Sequence, residues 1–162
     1  MDEASKKLHT SLYEVEDLLT EKLVSGGRVT FSPKGVSMLP MLRAEGDSVT
    51  LVRPPARIKK GTVALFISEA DGERKYLLHR LVAVKNGEYL FCGDKRKVCD
   101  PPVSADAVIG VVDGYTSRGR EHSLREPWYR VYSAWMVATY RIRKTSLKIQ
   151  DLVYRLWKKI SR

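Results

Sequence analysis

Side chains that can together hydrolyse a peptide bond occur at three places in this 162-residue chain. Ser37 lies in the segment GVSMLP at residues 35–40, where a Gly/Pro turn can hold its hydroxyl outward beside backbone N–H groups. His79 interrupts an apolar strand. Asp94 and Asp100 lie six residues apart, after the next apolar segment. A serine attacks only when a base takes its proton, and a carboxylate can orient that base. Each residue alone has an ordinary structural explanation; together they predict a Ser-His-Asp hydrolytic site.

The same segments resemble the signal peptidase and LexA-like serine peptidase superfamily. The matching motifs, in chain order, are GVSMLP at residues 35–40, His79-Arg80, Gly93-Asp94 followed by Asp100, and DAVIGVV at residues 106–112. The resemblance covers about residues 31 to 115. Because a histidine rather than a lysine stands where the general base is expected, the chain is similar to the endoplasmic-reticulum and archaeal branch.

The resemblance implies a role for each of these polar residues. Ser37 would be the nucleophile, His79 the general base and acid, and Asp100 the carboxylate that orients His79. Asp94 would be a structural or auxiliary carboxylate of the Gly-Asp turn. The branch usually has Gly-Asp-Asn at this turn, whereas this chain has Lys95 in place of the asparagine.

The resemblance also implies a substrate groove beside Ser37. We expect an extended peptide to lie along a strand edge, with its main chain hydrogen-bonded as an added strand. The predicted substrate-binding residues are Gly35, Met38 and Pro40. Many bacterial members have a second serine that assists the oxyanion where this chain has Gly35, so backbone N–H groups would have to supply that help.

The elements that position these residues form three predicted parts, residues 1–27, 28–115 and 116–162. The first part holds an amphipathic helix over residues 3–24, with leucines at helical spacing, and we expect it to serve in packing. The third part is a basic helical extension, helical over residues 126–160 with a candidate break at Thr145-Ser146.

The middle part alternates short runs of Val, Leu, Tyr and Phe with turn signals, which predicts a mainly β domain. Asp71-Gly72 and Asn86-Gly87 are typical of tight hairpin turns. The predicted strands are residues 28–31, 48–52, 62–67, 76–84, 89–92 and 108–115.

The positive charge of the chain is concentrated in its last part. Residues 116–162 carry 12 Lys and Arg but only 3 Asp and Glu, so they hold nine of the ten net positive charges. Three interpretations stay open: a helix in the interface of an anionic membrane, a helix packed on the β domain, and a nucleic-acid-binding tail. The aromatic residues favour the membrane, and the lack of a recognisable reading module disfavours nucleic acid.

Composition excludes several other classes. No run of 18 apolar residues and no N-terminal apolar segment occur, so we expect no transmembrane span, membrane anchor or secretory signal. The chain is therefore predicted to be cytoplasmic, with a place at the inner face of the membrane if the basic helix binds there. Cys92 and Cys99 are expected to be reduced thiols without a catalytic role. No metal site and no cofactor are predicted.

These observations lead to one function and two alternatives. The first is a serine endopeptidase of the signal peptidase type that cleaves a peptide or protein precursor and needs no metal or nucleotide. The second is a non-catalytic module that holds a peptide in the same groove. The third is a DNA-associated regulator that uses the basic extension.

Overall fold

The computed structural model describes residues 16–70 and 73–160. Its centre is an antiparallel sheet of seven strands with a helix at each end of the chain, so the mainly β prediction is confirmed. The strands are β1 (Val29–Phe31), β2 (Ser48–Val52), β3 (Val63–Ala70), β4 (Glu73–Lys85), β5 (Glu88–Cys92), β6 (Val108–Ser117) and β7 (Arg120–Ser123). The helices are α1 (16–24 in the described residues) and α2 (Pro127–Ile160), and a short 3₁₀ turn covers Ala105–Ala107.

The centre of the sheet is buried on both faces. Its strand order is β1-β2-β6-β3-β4-β5, and β7 pairs with the end of β6. Because successive side chains of a strand point to opposite faces, Val63 and Leu65 of β3 join one core cluster while Ala64 and Phe66 join the other. A strand buried on both sides is expected to read as a continuous apolar run, and β6 begins with the run VIGVV.

Helix α1 packs against the centre of this sheet. Leu23 is 1% exposed and belongs to the first core cluster. A Cβ at Gly110 of β6 would come within 2.9 Å of Leu23 Cδ1, so a glycine in β6 allows the helix to approach closely. The packing role expected for this helix therefore holds over its described part, and residues 3–15 of the predicted helix lie outside the described residues.

Two hairpins differ in how well they could be predicted. At the β4–β5 turn, Asn86 and Gly87 have φ of 50° and 83°, as a two-residue hairpin turn with both residues left-handed requires. The β6–β7 turn uses Arg118 and Gly119 in the same region, with φ of 54° and 73°. The predicted strand ended at residue 115, but the sheet continues through β7. The Asp71-Gly72 turn lies outside the described residues.

Helix α2 is one continuous element over Pro127–Ile160, so the suggested break at Thr145-Ser146 is wrong. Ser and Thr only weakly disfavour a helix interior, whereas a proline or glycine would break it more effectively. Proline at the first helical position suits the start of a helix, because the missing N–H would have no partner there. Among the described residues, no helix combines the length and apolar character needed to cross a membrane.

Candidate active site

Ser37 is held by a tight turn between β1 and β2. The Leu39 N–H donates to the Val36 carbonyl over 3.3 Å, and the Leu42 N–H donates to the Met38 carbonyl over 3.0 Å. Met38 and Leu42 are buried in the first core cluster, whereas Ser37 is only half-buried. The turn is therefore anchored in the core by its apolar residues and leaves the serine at the surface.

A buried carboxylate fixes the far end of the same loop. Asp47 is fully buried, and its Oδ2 accepts hydrogen bonds from the Arg43 N–H at 2.8 Å and the Ser117 hydroxyl at 2.7 Å. Burial alone would raise the pKa of Asp47, but these hydrogen bonds and the Arg43 guanidinium outweigh it and hold the pKa well below the usual range. The loop that carries Ser37 is thus tied to the end of β6.

His79 lies between Ser37 and Asp100. Its Nε2 is 2.9 Å from Ser37 Oγ, and its Nδ1 is 2.6 Å from Asp100 Oδ2. His79 is 2% exposed and its ring lies 6.3 Å from that of Phe66. With the proton on Nδ1 donated to Asp100, Nε2 is free to accept the proton of the Ser37 hydroxyl. The three predicted catalytic residues therefore form one hydrogen-bonded chain.

Asp100 is held by its own loop. Its backbone N–H donates to the Phe91 carbonyl over 2.9 Å, and the Arg96 Nη1 donates to Asp100 Oδ1 over 3.2 Å. Oδ2 faces His79, so each carboxylate oxygen has a cationic or N–H partner. Asp100 is 6% exposed. A buried, doubly hydrogen-bonded carboxylate is well placed to orient an imidazole.

The loop after β5 contacts Ser37 directly. The Lys95 N–H donates to the Ser37 carbonyl over 2.9 Å. A Cβ at Gly93 would lie 2.8 Å from the same carbonyl oxygen and 3.0 Å from His79 Nε2. Only glycine fits this approach without a shift, because real Cβ atoms do not come within 3.0 Å of such neighbours. Gly93 therefore allows the serine turn, the histidine and the aspartate loop to meet.

Asp94 lies on a different network from the other three predicted residues. Arg80 donates to it through two parallel hydrogen bonds, from Nε to Oδ1 at 2.8 Å and from Nη2 to Oδ2 at 2.7 Å. The Arg80 side chain is fully buried and that of Asp94 is 1% exposed. Burial opposes the charge of Arg80, but the hydrogen bonds and charge of Asp94 outweigh it and raise the Arg80 pKa. The geometry thus gives Asp94 a structural role.

Helix α2 completes this buried network. Tyr132 donates from its hydroxyl to Asp94 Oδ2 over 2.8 Å, and Arg80 Nη1 donates to Tyr129 Oη at 3.1 Å and to Ser133 Oγ at 2.9 Å. Sequence reasoning missed these three helix residues. The sequence did contain one indication of them. Residues 129, 132 and 133 all carry hydroxyl groups, and their spacing of three and four places these groups on one side of a helix.

A contact from further along α2 reaches the loop itself. Arg143 Nη1 donates to the carbonyl of Asp94, and it lies 3.5 Å from the carbonyl oxygen of Arg96. Arg96 in turn pairs with Asp100. The basic extension is therefore connected, through Arg96, to the aspartate that is hydrogen-bonded to His79, which its charge alone did not indicate.

Comparison with known proteins adds no assignment to this site. No family model, no curated protein and no solved structure matches this chain. The catalytic roles of Ser37, His79 and Asp100 therefore stay predictions.

A small cavity of about 90 Å³ lies beside Ser37 and His79. Gly35 and Met38, two of the predicted substrate-binding residues, line it. Pro40 does not; it lines a separate cavity of about 610 Å³ together with residues of β6, β7 and α2. Gly35 has a φ of 92°, which favours glycine at this position of the wall.

Cys92 and Cys99 flank the Gly93-Asp94 turn and pack against each other. Both are free cysteines. A hydrogen bond with Cys99 and, to a lesser degree, burial raise the pKa of the Cys92 thiol. A thiol with a raised pKa is a poor nucleophile at neutral pH, so Cys92 is poorly suited to attack a substrate.

Proposed function

We propose that this protein is a serine endopeptidase of the signal peptidase type, acting on a peptide or protein precursor. The observation that carries the proposal is the hydrogen-bonded chain of Ser37, His79 and Asp100, with distances of 2.9 Å and 2.6 Å. The 2.9 Å between Ser37 Oγ and His79 Nε2 is within the range for proton transfer from the hydroxyl to the imidazole, and the 2.6 Å joins His79 Nδ1 to the carboxylate of Asp100. The order of the motifs along the chain and the mainly β architecture support the relation to signal peptidases.

In the proposed reaction, Ser37 Oγ attacks the carbonyl carbon of the scissile bond while His79 Nε2 takes its proton. The resulting imidazolium is stabilised by Asp100 and then gives the proton to the leaving amine. This leaves an acyl-serine ester, which a water molecule hydrolyses with His79 again acting as the base. Backbone N–H groups of the turn at Ser37 would stabilise the oxyanion, since Gly35 has no hydroxyl to offer.

The edge of β4 suggests how a substrate binds. Strand β4 pairs with β3 over residues 73–80, but it pairs with β5 only from Arg80 onward. Among the described residues, no strand pairs with the other edge of residues 73–79, and Tyr76–Leu78 line the cavity beside Ser37. A peptide could therefore add as a strand along this edge and bring a carbonyl group to Ser37.

Covalent labelling tests whether Ser37 is an activated nucleophile. A fluorophosphonate probe forms a bond from serine Oγ to phosphorus and releases fluoride, and an unactivated serine does not react appreciably. We expect intact mass spectrometry to show one added probe, mapped to Ser37, and no adduct on the Ser37→Ala variant. Cleavage of a candidate precursor by the native chain and not by Ser37→Ala would extend the result to the reaction.

The opposite outcome is equally informative. A folded chain that is not labelled, but binds an extended peptide, would contradict the enzyme and favour a peptide-binding module. Labelling at any other serine, equal in the native chain and the Ser37→Ala variant, would contradict the assignment of the nucleophile.

Gly93→Ala is expected to lower the labelling rate of Ser37 by about 100-fold, because a displacement of about 1 Å at an active site has an effect of that size. The added Cβ would lie 2.8 Å from the Ser37 carbonyl oxygen, so the serine turn and the loop must separate. Gly114→Ala is a matched control, because its Cβ would meet the His122 carbonyl oxygen at an ordinary 3.5 Å. Equal labelling rates for the two variants would show that the close approach at Gly93 is not required.

A further inference from the structure

Helix α2 has an exposed apolar face that the fold does not use. Val131, Trp135 and Ile142 are 71%, 60% and 68% exposed, and Ala138 between them is also exposed. Their spacing of three or four residues places them in one line along the helix. We call these four residues the outer stripe. Such a row of large apolar side chains in water marks an interaction surface.

The opposite face of the same helix already supplies its packing against the β domain. Tyr129, Met136 and Tyr140 are 4%, 3% and 8% exposed and face the sheet and its loops. At about 100° per residue, these positions lie roughly half a turn from the outer stripe. The outer stripe is therefore not needed to hold α2 on the domain.

Positive charge runs beside the outer stripe. Arg130 and Arg141 are exposed on α2. In the sequence, basic residues recur after them at helical spacing, at Lys144, Lys148, Arg155 and Lys159. The apolar positions also continue, at Ile149, Val153, Leu156 and Ile160. Helix α2 thus carries an exposed apolar line with arginines beside it over residues 130–142, and the sequence repeats both residue types at helical spacing up to Ile160.

We propose that the outer stripe is a membrane-binding surface, and that its partner is the interface of a bilayer that contains anionic lipids. Tryptophan is enriched at the headgroup level of membranes, and Lys and Arg attract anionic headgroups. An apolar row flanked by basic residues is the pattern of helices that lie in the plane of the interface. The helix would lie on the membrane with the β domain on its other side.

The charge separates this partner from two others. A second copy of the chain would bring two strongly basic helices face to face, and like charges placed together oppose association. A nucleic acid would contact the basic line but would leave Trp135 and Ile142 in water, with no gain from the apolar row. An anionic bilayer can contact both lines at once, because its headgroups attract the basic residues and its interface accepts the apolar ones.

Vesicle binding by the full chain tests the proposal. We expect sedimentation with vesicles of phosphatidylcholine containing about one-third phosphatidylglycerol, and none with phosphatidylcholine alone, because the attraction depends on anionic headgroups. Raising the salt concentration should weaken the binding, because salt screens exposed charges. Emission from the chain's three tryptophans should shift to shorter wavelength on the anionic vesicles.

Substitution in the outer stripe identifies the surface. The double variant Trp135→Glu/Ile142→Glu should bind the anionic vesicles at least roughly tenfold more weakly, since two large apolar side chains are lost from the contact. The control is Leu18→Glu, because Leu18 is an equally exposed apolar residue, 67% accessible, on the other helix. Circular dichroism of both variants checks that each is folded.

Several results would overturn the proposal. Equal vesicle binding by the double variant and the control would show that the outer stripe is not the contact, and binding to neutral vesicles alone would contradict the role of anionic lipid. Concentration-dependent dimers that form without lipid and are abolished by Trp135→Glu would make the partner a second copy of the chain. Binding of duplex DNA without binding of vesicles would make the partner a nucleic acid. Vesicle binding does not depend on catalysis, so it should be the same for Ser37→Ala. A failure of the proposed peptidase activity would therefore leave this test unaffected, and the reverse holds as well.

Discussion

His79→Ala is expected to slow the reaction of Ser37 with a fluorophosphonate probe by at least about a thousandfold, since a serine that loses its base loses most of its reactivity. The imidazole Nε2 is 2.9 Å from Ser37 Oγ, and it is the only ring nitrogen in contact with that hydroxyl among the described residues. The measurement is the rate of adduct formation, followed by intact mass at several probe concentrations.

Asp100→Asn should have an effect of similar size, for a different reason. An asparagine amide would donate to His79 Nδ1 rather than accept from it, which places the ring proton on Nε2 and blocks the attack. Asp106→Asn is the matched control, because Asp106 is an exposed carboxylate in the nearby 3₁₀ turn. Labelling of His79→Ala at the native rate, or equal losses in Asp100→Asn and Asp106→Asn, would contradict the catalytic assignment.

Asp94→Asn is expected to be the most destabilising substitution near the site, lowering the free energy of unfolding by about 3–5 kcal/mol. The change keeps the shape of the side chain but leaves the fully buried Arg80 guanidinium without its counter-charge. Urea unfolding, followed by tryptophan fluorescence, measures the loss. Tyr132→Phe removes only one hydrogen bond to Asp94 and should cost roughly 2 kcal/mol, as is typical of a bond to a charged group.

A second pair of measurements separates structure from catalysis. The double variant Arg80→Met/Asp94→Leu should be more stable than Asp94→Asn, because replacing both members of a buried ion pair by apolar groups avoids the unpaired charge. Folded Asp94→Asn protein, prepared at low temperature, should be labelled at Ser37 within a few-fold of the native rate. A loss of labelling as large as that of His79→Ala, in protein shown to be folded, would instead make Asp94 part of the catalytic machinery.

The secondary structure was largely predictable from local patterns. Strand β2 was predicted to the residue, and the other five predicted strands differ from the observed bounds by one to three residues at an end. These segments carry β-branched and aromatic residues bounded by turn signals, so local preference and burial agree. Strand β7 was missed because its four residues, REHS, include no Val, Ile, Thr, Phe, Tyr or Trp and are held by pairing with β6.

The motif residues of the site were predictable in kind, since a serine in a Gly/Pro turn, a histidine in an apolar strand and a nearby aspartate each depart from the surrounding pattern. The helix residues that hold the Arg80–Asp94 pair in place were not predictable from the sequence. Tyr129, Tyr132 and Ser133 look like ordinary members of an amphipathic helix, and their partners Arg80 and Asp94 are 38 or more positions away in the chain. Nothing local to a tyrosine indicates whether its hydroxyl meets water or a buried ion pair.

By itself, the sequence determined the mainly β architecture, the residues able to form a Ser-His-Asp site and the concentration of charge in the last 47 residues. These follow from local preference and composition, which need no knowledge of distant contacts. The family resemblance implied Asp100 as the partner of His79, although residue type and spacing alone did not distinguish it from Asp94. Only the tertiary structure decided that Asp94 neutralises the buried Arg80 while Asp100 faces His79. It also decided that α2 uses one face for packing and leaves the other exposed. Two aspartates six positions apart are chemically alike, and only the fold brings one of them to the imidazole and the other to the guanidinium.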